Sequence, residues 1–378
     1  MVRENRPATD HGNRPVTGDG DRPVTGDGNR SVKGDGSGAV GGAGPAEGAR
    51  AGGVPPPESA IRPAVPPAAQ PAVRPEPGSS SSPAAVHGTE EDLVSVIVPA
   101  RDAAATLGRQ LDALAAQDHT GPWEVVVVDD GSSDATAEVA ESRRSALPAL
   151  RVIREAGSGG VNRARNVGCR HSRGRLLLFC DADDLVTPGW MSALVRALET
   201  APAAGGALER RSLNSAAALA ARPPAAVPGL ADSFGFLPYP WGANCAVRRE
   251  VWERLDGFDP AYTYGSDDVE FFWRAQLSGA ALVFASAAVV NYQLRDRPSD
   301  MARQYFRYGR SHPMLYRRFA AAGMPRSSTA GACREWGRLL FHAGDLLRSG
   351  TARARWLVRA ALRTGRIAGS LRHRVRYL

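Results

Sequence analysis

"LLLFCDADD", residues Leu176 to Asp184, drives four large apolar side chains and a cysteine straight into three carboxylates. An unbroken apolar run of this length suits a strand covered on both faces, because a half-exposed strand alternates apolar with polar residues. Asp181, Asp183 and Asp184 then gather at the carboxyl end of that strand. Like charges so close repel, and their burial is costly unless something cationic sits among them. Two carboxylates flanking one residue can hold a divalent metal. Mg²⁺ or Mn²⁺ suits all-oxygen ligation and keeps positions open for a diphosphate. The plainer reading is a solvated loop in which Asp is a good turn residue.

Upstream, the same texture repeats. "LVSVIVPA" from Leu93 is a β-branched run closed by Pro99, and Leu107, Leu111 and Leu114 then recur at helical spacing. "WEVVVVDDGSSD" predicts a strand over 124–128, a turn, and a helix through "ATAEVAESRRSA" capped by Ser133 or Asp134. "LRVIRE" is a third strand and "GVNRARNVGCRHS" a third helix, before the strand at Leu176. Strands alternating with helices of this length mean βαβ units and a largely parallel sheet. Ligands of such sheets sit outside the carboxyl ends of the strands. Three polar ends meet there: Pro99 to Asp102, Asp129 to Ser132, and Asp181 to Asp184.

Each end supports a sharp and a bland reading. Asp129 and Asp130 can accept hydrogen bonds from a nucleobase or ribose, or can simply form an Asp-Gly turn and cap. Arg163 and Arg165, one turn into the helix after Gly157, Gly159 and Gly160, can reach an anionic diphosphate, although the glycines lack phosphate-loop spacing. Residues 200–236 are Ala- and Pro-rich and resist assignment. Beyond them, a short strand over 244–247 leads into a helix ending at Gly257. Asp267, Asp268 and Glu270 open a helix with Val269, Phe272 and Trp273 on one face. Carboxylates there complement the helix dipole, or one of them serves as a general base in a partly apolar wall. "ALVFASAAVVNYQL" gives one or two more strands.

Composition sets the frame. The chain has 378 residues, a 43% hydrophobic share and a net charge of +8. Residues 1–90 are poor in aromatic and long aliphatic side chains. They carry an eight-residue repeat ("NRPATDHG", "NRPVTGDG", "DRPVTGDG", "NRSVKGDG"), which predicts a disordered tail. Residues 295–378 hold 19 Arg, no Lys and 4 acidic residues, a local charge of +15, and predict a basic helical extension. Such a surface suits an anionic partner. Cys169, Cys180, Cys245 and Cys333 lack paired spacing and read as reduced thiols, and no histidine pattern suggests zinc. Without an 18-residue apolar run or an apolar signal core, a cytoplasmic location is expected, peripheral at the inner membrane face if the basic extension docks there.

Taken in order, "VSVIVPARDAAATLGRQLDALAAQ", "VVVVDDGSSDAT", "GVNRARNVG", "GRLLLFCDADD", "NCAVRREVWERLDGFDP" and "YGSDDVEFFWR" resemble glycosyltransferase family 2 over residues 93–294. The resemblance implies an α/β GT-A fold, Rossmann-like, with a mostly parallel sheet flanked by helices. It implies sugar transfer from a nucleoside diphosphate to an acceptor hydroxyl with inversion, the acceptor being a glycan, a lipid-linked sugar or a small molecule. Pro99, Ala100 and Asp102 would line the nucleotide pocket, and Asp129 and Asp130 would contact the base. Arg165 would approach the diphosphate, and Asp183, supported by Asp181, would bind Mn²⁺ or Mg²⁺. Asp268 stands at the catalytic base, with Asp267 where the family usually has Glu. The family's Q-x-x-R-W motif is absent, which argues against a processive synthase. A nucleotidyltransferase on a similar sheet is the nearest alternative, but "VPARDAAAT" offers no glycine-rich loop with Arg and Lys. A dehalogenase-type phosphatase would place its D-x-D at the start of the domain. No stacked-aromatic or recognised module points to nucleic acid.

Overall fold

Strand β1 (Val94–Ala100) lies between β2 (Trp123–Asp129) and β4 (Leu176–Cys180), parallel to both, while β3 (Leu150–Arg154) extends the parallel set beyond β2. Val96 pairs with Val125 on one side and Leu178 on the other, so the apolar runs meet in register. The computed structural model describes residues 93–378 apart from 158, 223–228, 264 and 349, all within one unit, Ser80–Leu378. The expected tail over 1–90, with its repeats, lies outside the described residues.

Alternate residues of β1 feed two cores, as a period of two requires. Val96 and Val98 join Leu107, Leu111 and Leu114 of α1 (Leu107–Ala115), with Trp190 and Leu194 of α4 (Trp190–Thr200), on one face. Ile97 joins Phe179, Phe258, Phe271, Phe272 and Trp273 on the other. The remaining helices of the first half are α2 (Thr136–Glu141) and α3 (Val161–His171). Helix α2 stops short of the expected 146, and the chain finishes in a single 3-10 turn at Arg144–Ala146.

The second half of the sheet departs from the mostly parallel expectation. After β5 (Leu185–Val186) come β6 (Ala203–Glu209), α5 (Ala216–Ala220), β7 (Asn244–Arg248), α6 (Arg249–Arg254), α7 (Asp267–Leu277) and β8 (Leu282–Asn291). The spatial order is β3-β2-β1-β4-β7-β6-β8-β5, and β7 runs antiparallel to both β4 and β6, as β5 does to β8. Only β6 and β8 are parallel in this half, with a bulge at Gly206/Ala207. Strand β6, "AAGGALE", has no β-branched residue and two glycines, so its sequence does not advertise a strand. Close packing explains the composition. A Cβ on Gly206 would stand 2.4 Å from the Asn244 amide, and one on Gly205 would stand 2.3 Å from Pro240 Cβ. Buried Asn244 uses that space, donating to the carbonyls of Ala207 and Ala288 at 2.8 Å and accepting from Trp190 Nε1 at 2.9 Å.

The basic extension is helical: α8 (Pro298–Phe319), α9 (Thr329–Phe341) and α10 (Thr351–His373). It is packed into the second core through Leu315, Phe319 and Met324. Arg318 binds Asp259 at 2.6 Å and Glu270 of α7 at 3.1 Å. No described helix is long and apolar enough to cross a membrane.

Candidate active site

The carboxyl ends of β1 and β4, the first turn of α7 and the inner face of α8 enclose a cleft of about 330 Å³. Pro99, Asp102, Arg165, Asp181, Asp183 and Asp267 line it. They are joined there by Gln293, Arg295, Gln304 and Tyr308, which sequence reasoning missed. Ala100 is buried behind the wall, where its carbonyl accepts from Asp130 N at 2.9 Å.

The cation among the carboxylates is an arginine. Arg165 is almost fully buried, donates from Nη1 to Asp267 Oδ2, and stands 3.5 Å from Asp181 Oδ1 with its guanidinium over the Phe258 ring. Burial alone would weaken its proton affinity, but Asp267 and Asp181 outweigh that and hold the guanidinium charged. One side chain thus ties the end of β4 to the start of α7. Gly242 makes room for it, since a Cβ there would stand 2.7 Å from Arg165 Nη2.

The acids of the β4 end remain incompletely compensated. Ligand oxygens of Asp181, Asp183 and Asp184 all lie within 4.8 Å of one another. Burial lifts the Asp181 carboxyl to about 6, with Arg165 opposing and Asp183 adding to the rise. Asp184 is buried and pushed well above the usual carboxylate range by desolvation, then by Asp183 and Asp181. Its Oδ1 accepts from Gln293 N at 2.7 Å, and its buried Oδ2 has no partner among the described residues. Half-exposed Arg295 reaches Asp183 at 3.2 Å. Gln110 of α1 braces the loop from behind, donating to Asp181 O and accepting from Val186 N. An unpartnered buried oxygen within a tight carboxylate set is what a hard divalent cation fits, so the residues present suit the metal that the resemblance implies.

The other acidic ends are engaged differently. Asp130 accepts from Gly159 N and Gly160 N at 2.8 and 2.9 Å, and Asp129 accepts from Ser132 N at 2.9 Å. Neither lines the cleft, and nor does Asp268, although its neighbour Asp267 does. Asp102, with φ of 48°, accepts from Ser133 N and Oγ, and those bonds hold its carboxyl low. The expected cap of α2 by Ser133 or Asp134 is not formed in the usual way. Ala135 occupies the N-cap, and Asp134 instead accepts from Ala104 N and Thr136 N.

The three acids of α7 separate cleanly. Glu270 is fully buried and paired with Arg274 and Arg318. Asp267 is paired with Arg165 and accepts from Gly265 N. Asp268 makes no ion pair among the described residues; its oxygens accept only from Gly242 N and Val269 N, each at 2.8 Å. Burial, then Asp267, raises its carboxyl to about 7.

The sequence profile described as glycosyl transferase family 2 matches residues 95–255, and the related profile of glycosyl transferase family group 2 matches 226–362. Residues 95–255 form a family 2 glycosyltransferase domain. The second match overlaps the first and runs on to residue 362, within α10. Among relatives, glycosyltransferase AglE of Haloferax volcanii is 28% identical over 227 residues, covering 59% of this chain and 74% of that protein. Succinoglycan biosynthesis protein ExoO of Rhizobium meliloti is 32% identical over 225 residues, 54% of this chain and 61% of that one. The chain therefore spans less than two thirds of ExoO. A solved mannosyltransferase, PcManGT from Pyrobaculum calidifontis, is 22% identical, with 73% and 86% of the two chains covered and a TM-score of 0.49.

Proposed function

We propose that the chain transfers a sugar from a nucleoside-diphosphate donor to an acceptor hydroxyl with inversion, Asp268 acting as the base. The observation that supports this reading is the state of Asp268: alone among the three acids of α7 it has no ion pair among the described residues, and its carboxyl is lifted to about 7. A base with that value is deprotonated for much of the population near neutrality yet still binds a proton well. The acceptor oxygen bonds to the anomeric carbon as the bond from that carbon to the diphosphate oxygen breaks. The electron pair leaves with the diphosphate, and the acceptor proton passes to Asp268.

Asp183 and Asp181, with the free Oδ2 of Asp184 beside them, would hold a divalent cation that supplies charge neutralisation to the departing diphosphate. Arg165 positions Asp181 and Asp267 relative to each other and adds positive charge behind the cleft. Pro99 and Asp102 form the wall on the nucleotide side. Asp129 and Asp130 shape that wall through the loops they hold. Each of their oxygens keeps a second acceptor site, so a base contact there would be shared with Gly159, Gly160 and Ser132.

The test pairs binding with turnover. Asp268→Asn should retain the melting-temperature rise given by the preferred nucleoside diphosphate while losing transfer. Unimpaired transfer by that variant would remove Asp268 from the role.

A further inference from the structure

Six of the eight large apolar side chains that the described residues expose lie between positions 340 and 371. Phe341 and Leu347 are 86% and 93% exposed, Leu340 and Leu371 about three-quarters. Leu340, Phe341, Leu346 and Leu347 crowd the turn between α9 and α10. Trp356 Nε1 fixes that turn by donating to Leu339 O at 2.9 Å. At about 100° per residue, Trp356, Ala360, Ile367 and Leu371 fall in one stripe of α10. Arg353, Arg355 and Arg359 are exposed near its start, whereas Arg363 pairs with Glu335 and Arg366 turns inward to His312 and the Tyr377 ring. From 340 to 371 there are six arginines against one acid, Asp345.

Single exposed apolar residues are ordinary, but a concentration of them in one segment beside one sign of charge marks a contact surface. Charge selects the partner: a face combining inserted Leu, Phe and Trp with arginines at their border matches acyl chains under anionic headgroups. We propose that the α9–α10 turn and the outer face of α10 dock on a bilayer rich in anionic lipid. Trp356 suits the boundary, with an apolar ring and a polar N–H.

The placement of the cleft gives this docking a use. Helix α10 is pressed onto α8 by glycines: a Cβ on Gly309 or Gly365 would stand 2.2 Å from a carbonyl of the facing helix. Helix α8 in turn presents Gln304 and Tyr308 to the cleft. A bilayer under α10 would therefore lie about one helix spacing, roughly 10 Å, beyond α8. If the transferase reading holds, the acceptor is then drawn from molecules carried on that bilayer; the docking itself does not depend on that reading.

The experiment is vesicle sedimentation of the full chain, using phosphatidylcholine alone and phosphatidylcholine mixed with phosphatidylglycerol, at low and high salt. The chain should sediment with the mixed vesicles only, less at high salt. Phe341→Ser with Leu347→Ser should weaken that binding at least about tenfold, as expected for withdrawing two large apolar side chains from the acyl region. Both residues are exposed, so a normal melting curve should accompany the loss. Arg353→Gln with Arg359→Gln should weaken it on the anionic vesicles as well. Absence of sedimentation, equal binding to neutral vesicles, or undiminished binding by the Phe341/Leu347 variant would overturn the proposal. A dimer in sedimentation velocity that the same variant dissolves would also overturn it, in favour of self-association. Nucleotide-induced melting shifts should be the same in every variant, which separates this outcome from the fate of the transferase reading.

Discussion

The acidic ends of β2 and β4 belong to the same sheet and are built from the same residue, yet their chemistry is opposite. At the end of β2, Asp129 and Asp130 meet backbone N–H groups of Ser132, Gly159 and Gly160, so the charge is absorbed by the fold. At the end of β4, Asp181, Asp183 and Asp184 meet one another, with a buried arginine behind, an exposed arginine in front and one oxygen without a partner among the described residues. A carboxylate met by local N–H donors stabilises a loop; carboxylates that a fold crowds against one another with too few donors are poised for a cation. Sequence spacing does not separate the two cases, because D-D-G and D-x-D-D are equally good turns.

The sharpest way to break this contrast is to exchange effects between the two ends. Asp183→Ala should cost at least about 10²-fold in transfer rate while leaving the melting temperature close to the parent, because the side chain is partly exposed and its ion pair with Arg295 is a surface pair. Asp268→Asn should lose a similar factor, the lower end expected for a general base. Asp130→Ala should act mainly on stability. It strands the N–H groups of Gly159 and Gly160 and should cost about 2–4 kcal/mol in urea unfolding. If Asp130→Ala left stability intact and abolished turnover, the division between the two ends would be wrong.

Titration sharpens the contrast further. Asp268 must be deprotonated to accept a proton, so with its carboxyl near 7 the rate should fall about tenfold per pH unit below that value. Metal binding should fade at lower pH, through about 6, as Asp181 takes up a proton. Initial rates and metal-dependent melting shifts across pH 5 to 8.5, on the order of half-unit steps, would separate the two transitions. The smallest expected effect is at Arg295. It competes with any cation for Asp183, so Arg295→Met should raise apparent Mn²⁺ affinity about two- to fivefold, the scale of an exposed ion pair.

How much of this was legible in the sequence follows the same physics. Strands β1, β2 and β4 announce themselves because burial on both faces demands unbroken Val, Ile and Leu. The loops that follow them place Asp181 and Asp183 without further information. Strand β6 was illegible because its glycines answer to Asn244 and Pro240, residues far away in the chain. Gln110 and Tyr308 reach the site from helices whose periodicity says only that they are helix, and Gln293 from the irregular segment between β8 and α8. Spacing alone suggests Arg165 as a partner of the diphosphate; its ion pairs with Asp181 and Asp267 depend on residues distant in the chain meeting in the fold. The antiparallel half of the sheet was hidden for a related reason, since short strands such as β5 carry no mark of direction.

The most direct measurement is thermal denaturation of the parent and of Asp183→Ala with UDP, GDP, CDP and dTDP, each with Mn²⁺, Mg²⁺ or EDTA. A ligand that binds only the folded chain raises the melting temperature by mass action. A rise with one nucleotide, dependent on metal and absent from Asp183→Ala, is the predicted result. A folded protein that responds to none of them, or a variant that responds as the parent does, would contradict the assignment of the β4 end as the donor site.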